Sequence, residues 1–238
     1  MKKWDMKTRF VSVRDGLPTG TVNVSIIDGE PSYKIKADQA YDRIEMPVNG
    51  FKSPILYHGT LALRSPHNLK IVKQIKSRYR PFTFTDMNLR KPWYSKEIIT
   101  YALESSFCVK MNRLELGLVA EMFQINSNDV PGICRELVSL FHVNEMIVTM
   151  AEKGAWWIHP NGTEFTAAAA PENFIDSVGA GDAFSAAALR GIALNRQRKE
   201  TLQLCTDFAA RVCGIKGAVP QSDTFYNEEA CGKKGGSP

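Results

Sequence analysis

From residue 54 onward, short apolar runs alternate with longer stretches of helical spacing. The runs are Ile55-Leu56-Tyr57-His58-Gly59, Phe82-Thr83-Phe84-Thr85-Asp86, Phe107-Cys108-Val109-Lys110 and Met146-Ile147-Val148-Thr149-Met150. Each has the length of a buried strand. Ser65-Pro66 opens a helix to about Arg78, Ser95 caps one to about Glu104, Asn112-Arg113-Leu114-Glu115 opens a third, and a fourth covers about 130–141. The alternation predicts an α/β fold, a doubly wound and mostly parallel sheet with helices on both faces. Ligands in such sheets collect beyond the carboxyl ends of the strands, so the polar residues after each run are the candidate site.

Two regions depart from this rhythm. Thr21 to Ile27 alternates as a half-buried strand, Asp28-Gly29 is a hairpin signal, and Ser32 to Lys36 is a return strand, so a small two-stranded sheet precedes the α/β part. A second hairpin is predicted around Asn161-Gly162. Ile175 to Ala187 then reads as an apolar run, a glycine turn and a helix from Ala183 to about Leu194, followed by another helix over about 199–213. The expected division is a hairpin segment over 17–45, an α/β core over 46–226, and a polar Gly/Lys-rich tail over 227–238 that frays.

Charge and composition narrow the function classes. The net charge of +5 comes from scattered residues, and the one dense basic cluster, Lys70 to Arg80, has the spacing of a solvated helix face rather than a nucleic-acid patch. Five widely spread cysteines without C-x-x-C spacing point to reduced thiols and a cytoplasmic protein. Four histidines without paired spacing argue against zinc, and no apolar run has membrane-spanning length or the form of a signal peptide.

Chemistry concentrates at four places. In Ile175-Asp176-Ser177-Val178-Gly179-Ala180-Gly181-Asp182, the glycines and the start of the following helix form a pocket for an anion, most often phosphate. Asp182 at its mouth suits a general base that takes a proton from an attacking hydroxyl; a plain helix cap is an equally open reading of the local residues. Asp86, Asn88 and Arg90 alternate just beyond a strand and can bond hydroxyls or phosphate oxygens, or form a capped turn. Asn112 and Glu115, spaced i, i+3, face one way at a helix start and have the form of a capping box. Thr149-Met150-Ala151-Glu152-Lys153-Gly154 follows a strand, and Lys153 can reach phosphate or stand in solvent. No G-x-x-x-x-G-K-[ST] loop is present.

The nonapeptide Asp-Ser-Val-Gly-Ala-Gly-Asp-Ala-Phe at 176–184, followed by a small-residue helix, resembles the signature near the C-terminus of the ribokinase-like (PfkB) sugar kinases. Asp86-x-Asn88-Leu89-Arg90 looks like the fructokinase-type pattern. The resemblance implies a ribokinase-like fold in which residues 17–45 form a β lid over the sugar. It implies transfer of the γ-phosphate of ATP to a primary hydroxyl, with fructose as the first acceptor. Asp182 would be the base and Gly179, Ala180 and Gly181 the anion hole. Asp86, Asn88 and Arg90 would hold the sugar. Asn112 and Glu115 would hold Mg2+ and phosphate, through water; Thr149, Lys153, Gly154, Asp176 and Ser177 would lie by the nucleotide. The implied partners are the sugar and ATP, with a homodimer through the lid and a monovalent cation as further expectations. Alanine stands at 151, where the family has glycine, and fits there only with negative φ. The family's opening strand and Gly-Gly-x-x-x-Asn stretch are not found, so the chain reads as N-terminally truncated. The alternative function is therefore a shortened, non-catalytic relative that binds nucleotide or a partner. A dinucleotide enzyme would need an early glycine fingerprint that the sequence lacks.

Overall fold

A computed structural model describes residues 4, 6–8, 11–27, 30–47 and 50–226. Strands β1 (Val22–Ile27) and β2 (Glu30–Ile35) pair antiparallel, with Val22 opposite Ile35. The Asp28-Gly29 turn expected between them, and the tail over 227–238, lie outside the described residues.

The main sheet has six strands in chain order: β3 (Ile55–Gly59), β4 (Phe82–Asp86), β5 (Cys108–Asn112), β6 (Glu145–Thr149), β7 (Ala155–His159) and β8 (Gly162–Thr166). β3 to β6 run parallel, and β7 and β8 run antiparallel to their neighbours. The crossovers carry α1 (Thr60–Leu63), α2 (Pro66–Tyr79), α3 (Lys96–Glu104), α4 (Arg113–Met122) and α5 (Val130–Phe141). Right-handed crossovers between strands laid down in sequence place all their helices on one face. The core confirms this: Leu56, Val109, Met111, Met146 and Val148 pack with Val72, Ile99, Leu116 and Leu137. Alternate strand residues point the other way. Phe84, Cys108, Ile147 and Trp157 meet α6 (Ala180–Ala193) and α7 (Arg198–Cys213) through Phe184, Ala188, Leu202 and Cys205.

Local signals account for most helix starts. Ser65 and Ser95 accept hydrogen bonds from the N–H groups of Asn68 and Ile98, capping α2 and α3. α6 differs from expectation, because it begins at Ala180 rather than Ala183. The Gly-Ala-Gly run reads as a turn because glycine disfavours helix, yet here Gly179 alone turns the chain and the next residues are already helical. The turn of the second hairpin is Pro160–Asn161, with Gly162 in β8.

The Lys70–Arg80 cluster is not wholly a solvated face. Lys76 Nζ donates to Ser105 Oγ at 2.7 Å and lies 5.0 Å from the Tyr101 ring centroid, and burial pushes its pKa down to about 7. His58 is a neutral core residue, with burial holding its pKa near 3. Four cysteines fall within the described residues, all as free thiols, and three of them are buried. Among the described residues no helix is long and apolar enough to cross a membrane.

Candidate active site

The carboxyl ends of β4, β5 and β6, the start of α6 and the edge of the β1–β2 hairpin surround a cleft of ≈ 480 Å³. Ten of the expected site residues line it: Asp86, Asn88 and Arg90 after β4, Asn112 and Glu115 at β5–α4, Thr149 at the end of β6, and Ser177, Gly179, Gly181 and Asp182 at α6. Val22 and Ile35 of the hairpin close one side.

Gly179 is the N-cap of α6 at φ 86, a left-handed conformation that favours glycine. Its missing Cβ also matters, since an added one would lie 2.6 Å from the Ala218 Cβ. The N–H of Ala180 donates to Ser177 O, and that of Ala183 makes the first bond to Gly179 O. The N–H groups of Gly181 and Asp182 have no acceptor among the described residues, so two donors and the positive helix end face the cleft. Asp182 is therefore not the N-cap. It is the third residue of the helix and exposed, and its carboxylate makes no hydrogen bond or ion pair among the described residues. A Cβ on Gly181 would meet only Lys110 Nζ, at 3.8 Å, so the bare glycine keeps the space above Lys110 open.

Under that turn lies a cluster that sequence reasoning missed. Lys110 Nζ and Ser185 Oγ both donate to Asp86 Oδ2, at 2.7 and 2.8 Å, and all three residues are buried. Lys110 also lines the cleft. Its signal was a charge inside an apolar run, because lysine is almost never buried without a partner. Tyr57 stands on the same face, and burial, then the carboxylates of Asp86 and Asp182, push its hydroxyl up to about 12.

Asn112 and Glu115 form the capping box in full. Asn112 Oδ1 accepts from the Glu115 N–H and Glu115 Oε2 from the Asn112 N–H, both at 2.9 Å. Glu115 Oε1 accepts from the Leu89 N–H at 2.7 Å, which ties α4 to the loop that carries Asn88 and Arg90. Burial raises the Glu115 pKa, against these backbone donors. With each oxygen already accepting one bond, only its remaining lone pairs face a cation. Among the described residues no three His, Cys, Asp or Glu side chains converge as a metal cage. Such sparse donors fit magnesium held through its own waters.

Four expected site residues do not line the cleft. Ala180 lies within the first turn of α6. Asp176 shapes the turn instead: its oxygens accept from the N–H groups of Val178 and Gly217, at 2.9 and 3.1 Å. Lys153 is exposed in the β6–β7 loop, and Gly154 is buried with φ 102 against the backbone of Thr166 and Ala167. In the same loop Ala151 has φ 49, which corrects the expectation of negative φ there. A second depression, of ≈ 460 Å³, lies along the loop after β8 and is lined by Glu172, Asn173, Asp207 and Arg211 among others. No motif announced it.

Comparison with known proteins fits this geometry. No curated protein matches the sequence. A fructokinase from Xylella fastidiosa, solved with bound ATP, superposes with a TM-score of 0.72 at 18% identity, over 86% of this chain and 70% of its own. A ribokinase from Thermotoga maritima gives 0.70 at 20%, over 87% and 67%. A nucleoside kinase from Burkholderia thailandensis, in complex with inosine, gives 0.70 at 17%, over 90% and 67%. These likenesses show the ribokinase-like fold. The sequence pattern described as "pfkB family carbohydrate kinase" matches residues 1–224, and the chain therefore belongs to that family.

Proposed function

We propose that this chain transfers the γ-phosphoryl group of ATP to a primary hydroxyl of a sugar, with fructose as the first acceptor. The observation that carries the reading is the start of α6: two N–H donors without acceptors among the described residues, with the Asp182 carboxylate beside them, in one cleft with Asn88 and Arg90. In this role Asp182 takes the proton from the attacking hydroxyl. The N–H groups of Gly181 and Asp182, the helix dipole and Lys110 stabilise charge on the transferred group. Asn88 and Arg90 orient the acceptor, and the hairpin at 17–45 serves as its lid over the 46–226 core. Magnesium, when bound with ATP, neutralises phosphate charge, and Asn112 and Glu115 would hold it through water. In this reading the nucleotide base lies in the depression beside Glu172 and Asn173, on the same β8–α6 loop that carries Ser177 and Gly179.

Fructose rests on the Asp86-x-Asn88-Leu89-Arg90 pattern and on fructokinases among the similar folds, one from Vibrio cholerae solved with fructose and ADP. Nucleoside kinases share the fold equally, so inosine belongs in the same test. The test is ADP release by the purified chain with Mg-ATP and, in turn, fructose, ribose, 2-keto-3-deoxygluconate and inosine. Release that depends on one acceptor supports the reading and names the substrate. Failure with all four, while ATP still raises the melting temperature, favours the non-catalytic nucleotide-binding alternative.

A further inference from the structure

Both legs of the β1–β2 hairpin come to rest on one cation. Leaving β2, Ile35 O accepts from the Trp93 indole N–H at 3.2 Å, and Lys36 O accepts from Arg64 Nη2 at 2.7 Å. Arg64 stacks over the Trp93 ring, 4.4 Å from its centroid. Entering β1, Gly20 sits so close to the Tyr41 ring that any Cβ would collide with it. Tyr41 in turn packs against Arg64, its ring centroid 5.3 Å from the guanidinium carbon and its hydroxyl 3.1 Å from Nη2. Asp42 fixes the guanidinium by a two-pronged contact, Nε to Oδ1 at 2.9 Å and Nη2 to Oδ2 at 2.7 Å, with side chains only 5% and 9% exposed. Trp93 belongs to the loop after β4, and its backbone N–H donates to Arg90 O at 2.7 Å. Arg64 thus joins the two walls that face each other across the cleft, Val22 and Ile35 on the hairpin and Asn88 and Arg90 on the loop.

We propose that Arg64 is a positioning residue that sets the gap between the hairpin and the acceptor-binding loop, and that it acts through Trp93. It touches no reacting group. A planar fork that also stacks is the chemistry arginine supplies and lysine does not, so Arg64→Lys keeps the charge and removes the device. Among the described residues, Arg64 Nη1 and Gln39 Oε1 are buried in this cluster without a hydrogen-bond partner.

The catalytic half of the proposal rests on the kinase reading above, so the test has two independent readouts. The first is amide hydrogen exchange of the unliganded chain. In Arg64→Lys, exchange over residues 22–36 rises about 10-fold while β5 and β6 keep wild-type protection. Trp93→Phe, which keeps an aromatic ring for Arg64 to stack on and removes the N–H, gives a smaller rise confined to the end of β2. The second readout uses the acceptor that wild type accepts: in both variants its KM rises, about 10-fold in Arg64→Lys, while the KM for ATP and kcat stay within about two-fold. Unchanged exchange over 22–36 in both variants, or loss of protection throughout the sheet in both, overturns the clamp. Loosened exchange with an unchanged acceptor KM overturns its link to the cleft. Should wild type turn over no acceptor, the kinase reading fails and hydrogen exchange alone decides whether Arg64 holds the hairpin.

Discussion

Asp182 owes its position to two residues without chemistry of their own. Gly179 supplies the left-handed turn, and Ala218 is small enough to lie against it. This much was legible, because a glycine turn before a small-residue helix is a local pattern. Ser185 and Tyr57 were not, since their shared neighbour Asp86 comes from a distant part of the chain and such contacts leave no local mark, while Lys110 left only a charge inside an apolar run. Asp182→Asn should lower turnover by roughly 10²–10⁴-fold and leave the ATP-induced rise in melting temperature intact; near-wild-type turnover would remove the base assignment. Ala151 makes a different prediction. A left-handed alanine costs about 1–2 kcal/mol, part of which glycine loses again through its flexible unfolded state, so Ala151→Gly should gain about 0.5–1 kcal/mol. Chemical denaturation checks it, and a loss of stability would mean that the alanine methyl makes contacts worth more than the strain.

Caps made the helices readable. Ser65, Ser95 and Asn112 mark starts that the structure keeps, whereas α6 was placed three residues late because its first turn holds glycine. What caps cannot reveal is how an element is fastened to its neighbours. Arg198, the first residue of α7, grips the buried Glu145 of β6, with Nη2 at 2.7 Å from Oε1, while Trp157 Nε1 donates to the other oxygen at 2.8 Å. Arg198→Ala leaves that carboxylate buried with the indole alone. The expected loss is about 2–3 kcal/mol, below the range for fully buried pairs because Arg198 is 28% exposed. A change under about 0.5 kcal/mol in the unfolding free energy would show that water replaces the arginine freely. Lys76 on α2 acts in the opposite sense. Its pKa falls from 10.5 unfolded to about 7 folded. Above 10.5 the lysine is neutral in both states and costs nothing. As pH drops toward 7 only the unfolded chain takes up the proton, so stability declines, and below that the penalty is constant. Lys76→Met should therefore raise the urea midpoint at pH 7 and lose most of that advantage by pH 10.5; an equal gain at both values would rule out the charge as its cause.

Over the whole molecule, the strand–helix rhythm foretold a mostly parallel sheet covered on both faces. It did not foretell that the crossover helices all share one face, nor that a single helical pair serves the other, because those follow from strand order. The α6–α7 pair packs on Phe84, Cys108, Ile147 and Trp157, while Tyr57 on the edge strand β3 remains 44% exposed. Protection from amide exchange should follow that asymmetry, with β3 opening well before β5 and β6. Uniform protection across the sheet would mean that something else covers the β3 edge in solution. The reversal of direction at β7 has a practical side. Thr149 and Ala155 meet beside the cleft, so the two-residue turn Pro160–Asn161 falls at the opposite end of the sheet. A dye or an affinity handle spliced in there would report on the molecule without standing in the way of anything that enters it.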